Sequence, residues 1–85
     1  MRFDVPDWIA TLAGCPRDDV VYVGETERSN VLTVTYACQR DERVNVDLVA
    51  MPMGESGRAT WQLFAQLGDR VERAQVPANT RFVWR

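Results

Sequence analysis

The sequence predicts an α+β fold, and three observations carry that expectation. Leu32, Val34, Tyr36 and Cys38 alternate with Thr33, Thr35 and Ala37 in the period of two that marks a half-buried strand. The flanking segments can be aligned to this strand by their apolar residues. Farther on, Thr60, Leu63, Phe64, Leu67, Val71 and Ala74 fall in a stripe of roughly 100°, the width of a core-facing helix surface. The expected architecture is a short N-terminal helix, a three-stranded antiparallel meander, a second helix packed on one sheet face, and a C-terminal strand that joins the sheet. The alternative is an all-β meander or small barrel with one helix.

Pro6 to Ala13 reads as the first helix. Pro6 suits a first helical turn, Asp7 complements the positive end of the dipole, and Gly14 with Pro16 ends the run. Trp8, Ile9 and Leu12 give it an apolar side. Val20 to Glu27 reads as the first strand of the meander, followed by a tight turn at Ser29 and Asn30. With that two-residue loop, Val23 faces Tyr36 and Val21 faces Cys38, which leaves Tyr22 on the opposite face.

The third strand, Val44 to Met51, can be placed by register. A three-residue loop of Arg40 to Glu42 sets Cys38 against Val44, Tyr36 against Val46, Val34 against Leu48 and Leu32 against Ala50, and one face becomes wholly apolar. A two-residue loop would set Tyr36 against Asp47. Tyr36 and Leu48 are therefore expected in the core. The other face shows Tyr22, Gly24, Thr26, Thr33, Thr35, Asn45, Asp47 and Val49. Pro52 to Gly57 reads as a loop.

Residues 58–75 admit two readings. As a helix, the segment is rich in helix formers, Arg70 and Arg73 sit near its negative end and Pro77 stops it. As a hairpin, Trp61 to Leu67 and Arg70 to Val76 flank Gly68-Asp69, with Trp61, Leu63, Ala65, Ala74 and Val76 on one side. The helix is preferred on propensity, although Gly68 costs about 1 kcal/mol in a helix interior. Thr80 to Arg85 reads as the terminal strand.

Composition bounds the function. Eighty-five residues with 46% apolar and 26% charged side chains describe one globular domain, 1–85. No apolar run approaches the ~20 residues of a membrane span, and Asp4 and Asp7 stand where a signal peptide would be apolar, so a cytoplasmic location is expected. Cys15 and Cys38 form no C-x-x-C and are expected as free thiols.

All ten basic residues are arginine, and histidine is absent. The all-arginine usage fits codon bias in a GC-rich genome or a surface selected for bidentate donors. Without histidine, the commonest general base and a leading metal ligand are missing together. No Walker sequence, dinucleotide fingerprint, calcium loop or hydrolase triad can be assembled. A carboxylate glycosidase from Glu25, Glu27, Asp41, Glu42 and Asp47 is outweighed by the reading of these acids as solvated charges. No enzyme activity, metal or cofactor is expected.

Residues 1–57 carry five arginines against ten acids, and residues 58–85 five against two. Segregated charge of this kind can steer a protein partner or a second copy of the chain. The expected function is a non-enzymatic protein-binding module, a small bacterial or phage-encoded inhibitor or adaptor that occupies a surface of a larger protein. Its contact residues are expected to be Tyr22, Thr33, Thr35, Asp47, Arg70, Arg73 and Arg81. Closure of a homodimer by the same face is the competing use. A nucleic-acid-binding accessory protein is the alternative, through Trp61, Phe82 and Trp84 among Arg58, Arg70, Arg73, Arg81 and Arg85, although a pI near 5.0 gives it little electrostatic footing.

Overall fold

The computed structural model describes residues 1–55 and 58–85, with the backbone alone at 55, 58 and 59. Its elements run β1 (Arg2–Asp4), α1 (Val5–Ala13), a 3-10 turn (Arg17–Asp19), β2 (Val20–Arg28), β3 (Val31–Cys38), β4 (Asp41–Glu55), β5 (Arg58–Leu67), β6 (Arg70–Pro77) and β7 (Arg81–Val83). Strands β2 to β6 form a five-stranded antiparallel meander in chain order, and β1 pairs with β7 in parallel as a separate two-stranded unit. The α+β description holds in its coarse form, with one helix where two are expected and more strands.

α1 forms where its caps dictate. The Asp4 carboxylate accepts the Asp7 backbone N–H at 2.9 Å, Pro6 lies in the first turn, and Gly14 takes the left-handed conformation (φ 67°) that closes the last turn. The N–H of Cys15 then donates to the Ala10 carbonyl at 3.0 Å. Val5 and Ile9 point from α1 into a cluster with Val34, Tyr36, Val46, Leu48, Ala50, Leu63 and Ala65, all buried. Tyr36 and Leu48 are fully buried, as their alternation requires.

The β3–β4 register agrees with the apolar alignment: Leu32 opposes Ala50, Val34 opposes Leu48 and Tyr36 opposes Val46. The turn itself differs. Cys38 opposes Asp41 rather than Val44, with a register break after Ala37, so the chain reverses tightly at Gln39 and Arg40 and the slack is taken up in β4. The β2–β3 turn has Ser29 (φ 53°) and Asn30 (φ 66°) both left-handed, as a type I′ hairpin requires.

Residues 58–75 are not a helix. β5 and β6 form the hairpin around Gly68-Asp69, with Gly68 at φ 62°, the first turn position that a type II′ turn reserves for glycine. Propensity loses here to tertiary context. β5 pairs on both sides, with β4 and with β6, and buries Leu63 and Ala65 completely. A helix over the same residues would leave the fifteen-residue strand β4 as an open edge. The expected loop Pro52 to Gly57 is likewise strand as far as Glu55, pairing Pro52 with Trp61 and Gly54 with Ala59, and its residues 56 and 57 lie outside the described residues.

The terminal strand does not join the main sheet. β7 sets Phe82 beside Phe3 of β1, and the Arg81 N–H donates to the Met1 carbonyl at 2.8 Å. Phe3, Trp8, Trp61, Phe82 and Trp84 make a chain of ring contacts with centroids 5.0 to 6.2 Å apart. The buried Tyr36 hydroxyl donates to the Trp84 carbonyl at 2.6 Å and ties the C-terminal segment to the sheet centre. α1 and the β1–β7 pair thus lie on the same side of the sheet.

Cys15 and Cys38 are not free thiols. They form a disulfide, with Cα atoms 6.2 Å apart, that joins the chain just after α1 to the end of β3. Their separation of 23 residues conceals a close approach in space, because the chain leaving α1 passes through the 3-10 turn and runs back beside β3 as β2. Among the described residues no helix is long and apolar enough to cross a membrane.

Candidate functional site

One face of the sheet is occupied by α1 and the C-terminal aromatic layer, and among the described residues the other face is left bare. Cross-strand pairing places a continuous row on the bare face, one residue from each strand: Thr26, Thr33, Val49, Phe64 and Arg73. A second row holds Gly24, Thr35, Asp47, Gln66 and Val71. Alternation fixes these residues outward once Val34, Leu48, Leu63 and Ala65 point inward. Val49 and Phe64 stand half-buried at the centre of the face among Thr26, Thr33, Thr35, Asp47, Gln66 and Arg73, and Val71 is exposed at its β6 edge.

The local chemistry is mild. The Thr35 hydroxyl donates to the Asp47 carboxylate at 3.0 Å, and the Arg73 guanidinium lies 5.9 Å from the centre of the Phe64 ring. This second contact is a cation–aromatic pairing that keeps the charge at the rim. Among the described residues no group of three His, Cys, Asp or Glu is placed to hold a metal ion. The face offers shape and hydrogen-bonding groups.

Four of the expected contact residues, Thr33, Thr35, Asp47 and Arg73, come together here. Three do not. Tyr22 lies on the covered side, opposite Tyr36, because the register slips between Tyr22 and Gly24 and Val23 is left as a bulge. One extra residue exchanges the faces of everything before it. Val21 and Val23 become exposed, and Tyr22 packs edge-on against Tyr36 at 5.9 Å, under the Arg85 guanidinium at 4.3 Å. The Tyr22 hydroxyl donates to the Glu25 carboxylate, which pushes the phenol pKa up.

Arg70 also belongs to the covered side, where its guanidinium donates to the Leu12 carbonyl at 2.7 Å and lies 3.5 Å from Glu72. It borders a shallow hollow of about 200 Å³ lined by Leu12, Ala13, Val44, Leu67 and Arg43. Arg43 is engaged there by both carboxylate oxygens of Asp41, which holds that acid below the usual range, so both guanidiniums of the hollow are already committed. Arg81 sits on β7, away from the bare face.

Phe64 also lies on the bare face, in the row of Val49 and Arg73. A helix over 58–75 would put it in the core stripe, whereas the hairpin turns it away from Leu63 and Ala65. Trp61, Phe82 and Trp84, which the nucleic-acid reading needs as stacking platforms, are half-buried against one another on the covered side, and the side chain of Arg58 lies outside the described residues. No family model, curated protein or solved structure matches this chain.

Proposed function

We propose that this chain is a non-enzymatic protein-binding module that docks a larger protein on the bare face of its sheet. The observation that carries the reading is the contrast within one sheet. The same five strands are covered on one side and present, on the other, a row with a half-buried aliphatic and aromatic centre between threonines and an arginine. An apolar centre with a polar rim is the anatomy of a protein interface, and a rigid aromatic such as Phe64 is the kind of residue that anchors one. Action as a small inhibitor or adaptor of bacterial or phage origin fits a domain of this size that contributes a surface rather than a reaction.

The Cys15–Cys38 bond favours an oxidising compartment over the cytoplasm, since cytosolic thiols are kept reduced. The partner would then be met outside the cytosol.

The test is affinity capture with the oxidised chain and with Phe64→Asp, from an extract of the cell that makes the protein. A stoichiometric partner retained by the parent chain and lost with Phe64→Asp, at unchanged circular dichroism, supports the reading. Equal capture by both would move the contact surface elsewhere.

A further inference from the structure

We infer that Arg2 and Arg81, set side by side on the outer side of the β1–β7 ribbon, form a binding site for a doubly charged phosphate group. The two strands run parallel and in register, with Arg2 opposite Arg81 and Phe3 opposite Phe82. Phe3 and Phe82 meet edge-on at 6.2 Å and belong to the layer that covers the sheet, in contact with Trp8, Trp61 and Trp84. Successive side chains of a strand point to opposite sides, so the residues just before them face away from the core, and both arginines are exposed. Adjacent strands stand about 4.8 Å apart, which brings the two guanidiniums within reach of one small anion. The Arg81 N–H, donated to the Met1 carbonyl at 2.8 Å, fixes the ribbon at this end.

Their lack of partners sets these two arginines apart. Arg17, Arg40, Arg43 and Arg70 each lie against a carboxylate, and Arg73 and Arg85 lie over aromatic rings. Among the described residues, Arg2, Arg28 and Arg81 have neither, and of these three only Arg2 and Arg81 are strand neighbours. No acid follows Glu72 in the chain, so β7 brings none to the site. Asp4, two residues along β1 from Arg2, is spent on the Asp7 N–H and on Arg17.

Like charges directly opposite one another destabilise a strand pair. β1 and β7 are three residues each and, among the described residues, have no other strand beside them. An anion held between the two forks removes the repulsion. A guanidinium offers parallel N–H donors that match two phosphate oxygens, and two guanidiniums match the charge of a phosphate monoester, about −1.5 to −2 at neutral pH. A carboxylate would leave one positive charge over. The ligand chemistry is therefore the monoester phosphate, whether free in solution or carried by a lipid headgroup.

Titration of the purified oxidised chain with inorganic phosphate at mildly alkaline pH, with ionic strength held constant by chloride, should shift the side-chain Nε–H resonances of Arg2 and Arg81 together and saturably. Arg2→Gln and Arg81→Gln should each weaken binding roughly tenfold, through the loss of one set of charge-assisted hydrogen bonds. Arg81→Glu should abolish binding and, in phosphate-free buffer, slow amide exchange along β1 and β7, because opposed like charges become an attractive pair. That second readout separates a lost site from a lost fold. Cosedimentation with phosphatidylcholine vesicles, with and without phosphatidic acid, distinguishes the two sources: pelleting that requires phosphatidic acid assigns the lipid headgroup, and any other result assigns a soluble phosphate. Shifts that never saturate, equal affinity in the parent chain and both glutamine variants, or faster exchange in Arg81→Glu would overturn the proposal. The site lies apart from the bare face, so its failure leaves the docking reading untouched.

Discussion

The two faces of this sheet are built from the same strands and differ in what rests on them. The covered face carries Val34, Tyr36, Val46, Leu48, Leu63 and Ala65, all buried beneath α1 and the aromatic layer, whereas the bare face carries Thr33, Thr35, Asp47, Val49, Phe64 and Arg73 with nothing above them. Stability therefore resides on one side, and the other side is available for contact. A strand residue is free to serve recognition when its two sequence neighbours already hold the sheet.

The largest test of this contrast is a truncation on each side. Leu48→Ala should cost about 2–5 kcal/mol, because it removes a fully buried side chain from the centre of the core. Phe64→Ala should cost about 1 kcal/mol or less, within the range of β-propensity effects at a surface strand position. Urea unfolding of both variants checks the ratio, and similar losses would mean that the bare face is structural as well.

The disulfide should come next. Replacing Cys15 and Cys38 together by serine should lower stability by about 3 kcal/mol, the loop-closure entropy for a link of this length. Ellman titration of the unfolded chain without reductant should find no free thiol. Finding two would return the covered face to an uncrosslinked state and restore the cytoplasmic expectation.

A finer probe is Tyr36→Phe, which keeps the ring and deletes the donor to the Trp84 carbonyl. Leaving that acceptor unpaired should cost about 1–2 kcal/mol and loosen the C-terminal segment, visible as increased tryptophan exposure to a quencher.

The smallest effects concern the helix that does the covering. Asp4→Ala removes the N-cap of α1 and should cost about 1 kcal/mol. The Asp7 backbone N–H, with Arg17 nearby, holds the Asp4 carboxyl below its ordinary value of 3.8. A depressed carboxylate contributes stability above its unfolded pKa and loses it as pH falls through the folded one. The parent chain should therefore lose this increment below about pH 4, and Asp4→Asn, which keeps an acceptor without the charge, should flatten that part of the profile. An identical acid limb in both would remove Asp4 from the pH response.

Some of this was readable in residues close together in the chain. α1 ends where Gly14 allows the left-handed turn, the Ser29-Asn30 hairpin lies where its polar residues put it, and β3 meets β4 in the one register that makes a face apolar. Of the bare face, Thr33, Thr35 and Asp47 were legible because they alternate with residues the core claims. Tyr22 was not, because a single bulge at Val23 reverses its face, and a bulge leaves no mark in an alternation that Val20, Val21 and Val23 satisfy in either phase.

The sequence alone determined the elements whose signal is periodic and local: one capped helix, the central strands and their facing sides. The tertiary structure decided whether 58–75 is helix or hairpin, where Tyr22 points, that Cys15 meets Cys38, and that the C-terminal strand pairs with Arg2–Asp4 instead of the main sheet. Each of these depends on which distant segment lies alongside. Residues 58–75 satisfy the helical and the strand period alike, and the choice falls to the free edge of β4, which lies outside that segment and supplies hydrogen bonds only to a strand.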